Sequence, residues 1–157
     1  DLWAIPVIIG VLILGFRGGK RARIAIGIIL IATGITDVTV VEVIKPTIAR
    51  LRPSHTLGDT INVLIGKGGK YGFVSAHAAN IFCATTILSY FYERWKNSLF
   101  FLALSVSISR VYVGVHYPGD VIFGGLYGYG IAWLFITIWV LIKMRELKRG
   151  RTWVQYK

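Results

Sequence analysis

The stretch Ser109-Arg110-Val111-Tyr112-Val113-Gly114-Val115-His116-Tyr117-Pro118-Gly119-Asp120 sets an arginine, a histidine and an aspartate inside an otherwise apolar region. Polar groups in such surroundings are costly unless they are partnered. His116 and Asp120 have the four-residue spacing of a helical pair, but Pro118 and Gly119 lie between them and break a continuous helix. A turn is therefore expected. It would end one helix near Val115, expose His116, and set Asp120 in the first turn of the next helix, where a carboxylate is favourable. From there Asp120 can hold one imidazole nitrogen and leave the other nitrogen of His116 as an oriented nucleophile or base. The competing reading is a purely structural His–Asp pair, and the rest of the chain decides between the two.

A chain of 157 residues that is 55% hydrophobic and 13% aromatic, with a mean hydropathy of +0.64, does not suit a soluble domain of this size and reads as one membrane domain. Its 18 Lys and Arg give a formal charge of +11. They gather at the ends of apolar runs, as in loops touching anionic lipid, and no basic arm or base-stacking motif accompanies them. Nucleic acid is not an expected partner. Cys83 is the single cysteine, lies in an apolar run, and reads as a small core residue.

Five apolar segments are read as spans, at about residues 2–16, 24–44, 78–92, 98–115 and 121–144. Together they make an all-α transmembrane helix bundle over residues 1–157, with residues 45–77 as an outer loop carrying part of the site. The first segment is short, about 22 Å against a hydrocarbon core of about 30 Å, and the chain opens on Asp1 instead of Met. Asp37, within the second span, is read first as a bundle-facing partner for a nearby Arg or hydroxyl, and Glu42 as an interfacial partner of Lys45. Gly66-Lys67-Gly68-Gly69-Lys70 lacks the upstream Gly and following Ser or Thr of a phosphate loop, and reads as flexible backbone facing lipid headgroups. Gly124, Gly128 and Ala132 recur every four residues, which lets another helix approach closely. Alternate loops hold 12 basic residues on the side of Arg17 and the tail against 6 on the other. The tail is thus expected in the cytoplasm and His116 on the outer side.

Three separated stretches then fall together: Lys45 to Pro53, Ser75-Ala76-His77, and Ser109 to Asp120. Arg52 and Arg110 each offer a planar donor fork and Lys45 a point charge, a set suited to a tetrahedral phosphate. Ser75 to His77 opens a span, where free backbone N–H groups, Ala76 among them, and the Ser75 hydroxyl cradle an anion. With phosphate so held, His116 can attack phosphorus in line while His77 protonates the departing oxygen. Charge on the equatorial oxygens meets donors already in place. This chemistry needs no metal, and no metal-ligand cluster or cofactor motif is visible.

These residues resemble the type 2 phosphatidic acid phosphatase superfamily, which shares its site with the vanadium haloperoxidases. Lys45, six residues and Arg52-Pro53 match its first motif. Ser75-Ala76-His77 resembles the second, usually Pro-Ser-Gly-His, with Val74 and Ala76 replacing Pro and Gly. Ser109-Arg110, five residues, His116, three residues and Asp120 match the third. The resemblance implies that Lys45, Arg52, Ser75, Ala76 and Arg110 bind phosphate, that His77 is the general acid, and that His116 is the nucleophile with Asp120 orienting it. It also implies six spans where five are read here, which leaves a first helix lost or never present. The expected function is a metal-independent lipid phosphatase at the outer, periplasmic face of a bacterial inner membrane. Lipid A 1-phosphate is the favoured substrate; phosphatidylglycerophosphate, phosphatidic acid and undecaprenyl diphosphate are alternatives. Phosphotransfer to another lipid, a non-catalytic lipid-binding scaffold and a vanadate haloperoxidase are the remaining readings.

Overall fold

The computed structural model describes residue 15 and residues 17–57, 63–64 and 68–156. Helix α1 is Gly19–Val38, followed without a break by a π-helical stretch Thr39–Ile44 and a short helix α2, Lys45–Ile48. Helix α3 is Pro53–Thr56, α4 is Ala76–Phe91, α5 is Lys96–Tyr112 after a 3-10 turn Glu93–Trp95, and α6 is Pro118–Lys148. No strand occurs among the described residues; Leu51 and Tyr71 form an isolated antiparallel bridge. The four spans expected from about residue 24 onward coincide with helices, while the segment at about 2–16 lies outside the described residues apart from Gly15. Two helical segments, Gly19–Ile48 and Pro118–Lys148, are long and apolar enough to cross a membrane. Large apolar side chains along them and along α5, such as Leu30, Phe101, Ile108, Ile122 and Leu141, are exposed.

Helix α4 packs against α1, α5 and α6 and is the axis of the bundle. Small residues allow this. A Cβ on Gly124 would lie 2.6 Å from the Ser75 carbonyl oxygen, and one on Gly128 would collide with the Ala79 carbonyl, so α6 meets α4 backbone to backbone. Below this contact Cys83, Ile87, Phe91, Ala132, Ile136 and Trp139 form the core with Ala25 and Ala32 of α1. Some buried hydroxyls bond within their own helices, Thr36 donating to Ala32 O at 2.8 Å and Ser89 to Thr85 O at 2.6 Å, whereas Thr86 Oγ1 and Ser107 Oγ are buried without a partner among the described residues.

The described part of the tail folds back onto the bundle. Val154 is fully buried in the core, Tyr156 packs on Phe91, and the Arg21 guanidinium lies over the rings of Tyr92 and Tyr156. Two local expectations are corrected. Asp37 accepts from the Asn80 side-chain amide at 2.9 Å instead of meeting an arginine or hydroxyl. Among the described residues no ion pair joins Glu42 to Lys45; the π-helical stretch, in which Lys45 N–H donates to Val40 O five residues back, changes the helical register between them.

Candidate active site

Local sequence explains how the turn before Asp120 is built. Helix α5 ends at Tyr112, three residues earlier than expected, because Gly114 takes a left-handed conformation with φ 78°. Gly114 N–H donates to Val111 O at 3.0 Å and Val115 N–H to Arg110 O at 3.3 Å, the paired bonds of a Schellman cap. Pro118 opens α6, and Asp120 in its first turn accepts from Tyr117 N–H at 2.9 Å, which satisfies one of the free donors at that end. This part of the expectation holds. The exposure of His116 does not: the cap turns the chain inward and leaves it 3% exposed, beside an Asp120 that is wholly buried.

His116 Nδ1 lies 3.5 Å from Asp120 Oδ2, beyond the length of a formed N–H···O bond, and finds no closer acceptor. Burial pushes the imidazole below its ordinary pKa, Asp120 pulls it back up, and the cations Arg52 and Lys45 press it down again, so the neutral form is favoured. The ring therefore has one nitrogen facing a carboxylate and the other directed elsewhere.

The other expected residues converge on it. Arg110, His116, Lys45 and Arg52 all act electrostatically on His77, whose side chain is exposed in the first turn of α4. Lys45 and Arg52 also act on each other and on Asp120. Arg52 is held by its own loop, with Nε donating to Tyr71 O at 3.2 Å and its backbone N–H to Lys70 O at 3.2 Å. Arg110 Nε is 3.3 Å from Ser109 Oγ. Ser75 is the buried N-cap of α4. Its Oγ accepts from Ala78 N–H at 3.4 Å, which leaves its hydroxyl proton available, and its N–H donates to Asp120 O. Ala76 and His77 open the helix, where backbone donors point outward. The set can receive a tetrahedral oxyanion above an oriented imidazole. Among the described residues no three His, Cys, Asp or Glu side chains gather as a metal site.

Two residues of the site were not singled out from sequence. Arg50 Nη1 donates to Asp120 Oδ1 at 3.1 Å across 70 residues of chain. Gly72 is buried between two site residues: a Cβ there would lie 3.1 Å from Asp120 Oδ2 and 3.1 Å from Arg52 Cγ. Neither has a local signature, since Arg50 sits among other loop cations and Gly72 among 18 glycines. One residue of the glycine-rich stretch is packed against the site. A Cβ on Gly68 would lie 2.7 Å from Arg52 Nη1, so this glycine packs on the guanidinium, while Lys67 lies outside the described residues.

A profile of the PAP2 superfamily matches residues 23–143. The chain is 39% identical over 101 residues to a lipid A 4'-phosphatase of Bacteroides thetaiotaomicron, covering 60% of this chain and 45% of that protein. It is 31% identical over 136 residues to a lipid A 4'-phosphatase of Porphyromonas gingivalis, covering 82% and 56%. A further relative is an undecaprenyl-diphosphatase of Sulfolobus acidocaldarius, 38% identical over 120 residues, covering 76% and 57%. The chain thus spans about half the length of these relatives. The crystal structure of a transmembrane PAP2-type phosphatidylglycerolphosphate phosphatase from Bacillus subtilis matches the fold with a TM-score of 0.62, covering 88% of this chain and 69% of that one at 22% identity. The three site stretches in their order, the helices that gather them and a profile match over most of the sequence agree: this chain belongs to the PAP2 superfamily.

Proposed function

We propose that the protein is an integral membrane phosphatase that hydrolyses a lipid phosphate ester through a phosphohistidine intermediate. The carrying observation is the buried His116 imidazole, its Nδ1 turned to Asp120, within the field of Lys45 and Arg52 and beside His77 and Arg110. In this reading His116 Nε2 attacks phosphorus in line, the bond from phosphorus to the lipid oxygen breaks, and His77 gives that oxygen a proton. His77 then takes a proton from water, whose oxygen displaces His116 and releases inorganic phosphate. Lys45, Arg52, Arg110, the Ser75 hydroxyl and the first N–H groups of α4 hold the equatorial oxygens as charge develops.

An apolar cleft between α4, α5 and α6 supports a lipid substrate. Its volume is about 520 Å3, its walls include Phe82, Leu104, Ile108, Ile122 and Leu126, and it reaches Val111 and Pro118, which follow Arg110 and His116 closely in the chain. From Pro118 to Tyr129 it follows α6 for about 16 Å, close to half of a hydrocarbon core of about 30 Å. That depth suits a chain of the leaflet on which the phosphate lies. The domain would comprise residues 1–157 with five spans, the tail in the cytoplasm and the site on the outer face, with basic loops against anionic lipid.

Lipid A is the favoured substrate. The sequence reading favours the 1-phosphate, but two relatives are named as 4'-phosphatases, which moves the proposal to the 4'-phosphate. Undecaprenyl diphosphate is the second reading, on the strength of a relative covering 76% of this chain. The test is phosphate release by purified protein in detergent with EDTA from lipid A, undecaprenyl diphosphate, phosphatidylglycerophosphate and phosphatidic acid, with the lipid A product resolved by position. Release is expected from lipid A at the 4'-position and is lost in a folded His116→Ala variant. Full activity of that variant would remove His116 as nucleophile, and silence across all four lipids would remove the phosphatase reading.

A further inference from the structure

We propose that Arg50 is a positioning residue for the nucleophile, holding the Asp120 carboxylate in the one orientation that presents an oxygen to His116. The inference rests on the phosphatase reading above. Asp120 is wholly buried and its two oxygens have different partners. Oδ2 accepts from Tyr117 N–H at 2.9 Å and faces His116 Nδ1 at 3.5 Å, while Oδ1 accepts from Arg50 Nη1 at 3.1 Å. A carboxylate held at one oxygen alone can pivot about that contact; held at both, its plane is fixed. Arg50 supplies the second hold. Because the imidazole contact is already long, a small rotation of the carboxylate would take Oδ2 out of reach.

The guanidinium is itself fixed from two directions. It lies over the Tyr117 ring, 4.4 Å from the centroid, in cation–π contact. Its backbone is pinned as well. Ala49 ends α2 in a left-handed conformation, φ 51°, which swings the chain back toward the site, and Arg50 O accepts from Gly72 N–H at 2.8 Å. Tyr117 thus stands between histidine and aspartate in sequence, offers its N–H to the carboxylate, and offers its ring to the cation that holds the same carboxylate. The other charged groups acting on Asp120 are His116, Arg52 and Lys45. Of the cations around the carboxylate, it is Arg50 that donates a hydrogen bond to Oδ1.

The test is a cycle of Arg50→Ala, Arg50→Lys, Asp120→Asn and Arg50→Ala/Asp120→Asn, with kcat and KM on lipid A and undecaprenyl diphosphate and inhibition by inorganic vanadate. Arg50→Ala is expected to lower kcat about 10- to 100-fold, leaving KM and vanadate inhibition in place. Arg50→Lys, which keeps the charge and can still lie on Tyr117, should restore part of the loss. The double variant should be no slower than Asp120→Asn, since Arg50 acts only through that carboxylate. Nitrogen-15 NMR of His116 gives a readout free of turnover: one tautomer, with the proton on Nδ1, in the parent and a mixture in Arg50→Ala. A parallel rise of KM and vanadate inhibition constant, losses that multiply in the double variant, or an unchanged tautomer would overturn the assignment. A parent protein that cleaves none of the four lipids named above while Arg50→Ala still changes the tautomer would strike the phosphatase reading and leave the positioning role standing.

Discussion

Helix α6 carries a buried carboxylate near each end, Asp120 and Glu146, about 39 Å apart at the helical rise. Glu146 draws its partners from the next turn of chain: Arg151 Nη1 at 3.0 Å, Trp153 Nε1 at 2.9 Å and Arg149 at 3.5 Å. The result is a closed knot that folds the tail back, buries Val154 and seats Tyr156 on Phe91. Asp120 takes one partner from its own turn and another from 70 residues away, and beside it an imidazole nitrogen is left without a full hydrogen bond. Locally satisfied charge makes a joint. Charge that gathers distant partners ties separate stretches of the chain together around one buried carboxylate.

The comparison can be broken most forcefully at Gly72. Gly72→Val drives a side chain between Asp120 and Arg52, and kcat/KM should fall about a hundredfold while the helical circular dichroism of the bundle persists. An active Gly72→Val protein would mean that the space between these two residues does not matter to the site.

A smaller effect should follow from the charge around His116. Burial and the cations hold its pKa down, and the nucleophile must be neutral, so the acid limb of kcat/KM is expected below the ordinary histidine value of about 6.5. Arg52→Gln removes a cation that disfavours imidazolium. The pKa then rises, the limb moves to higher pH, and the rate falls about tenfold because a phosphate donor is also lost. A limb that stays in place would separate Arg52 from His116. The smallest change is expected at the other end: Glu146→Gln should lower the thermal midpoint through a loosened tail yet leave kcat within about twofold, since distant sites act independently. A large loss of kcat there would erase the distinction between the two ends.

Much of this was legible in the chain. Apolar runs located α1, α4, α5 and α6 because burial and helical period are written in consecutive residues, while the short helices α2 and α3 lie in what reads as an outer loop. Pro118 and Asp120 announced the start of α6 in the same way. Gly124 and Gly128 marked the close approach to α4, because only small residues let two backbones touch. Gly114 was the overlooked local signal, a left-handed position that ended α5 early and turned His116 inward.

The three motif stretches, with their residue types and spacing, were determined by the sequence alone, and so was the chemistry they can support. Tertiary structure alone decided that His116 is buried, that Arg50 rather than any neighbouring loop cation meets Asp120, that Gly72 keeps Arg52 and Asp120 apart from any side chain, and that Val154 belongs to the core. The physical reason is one of range. Capping, helical period and backbone permissiveness act over a few residues and leave their mark there, whereas the choice of a partner 70 residues away is made by the packing of every helix between them.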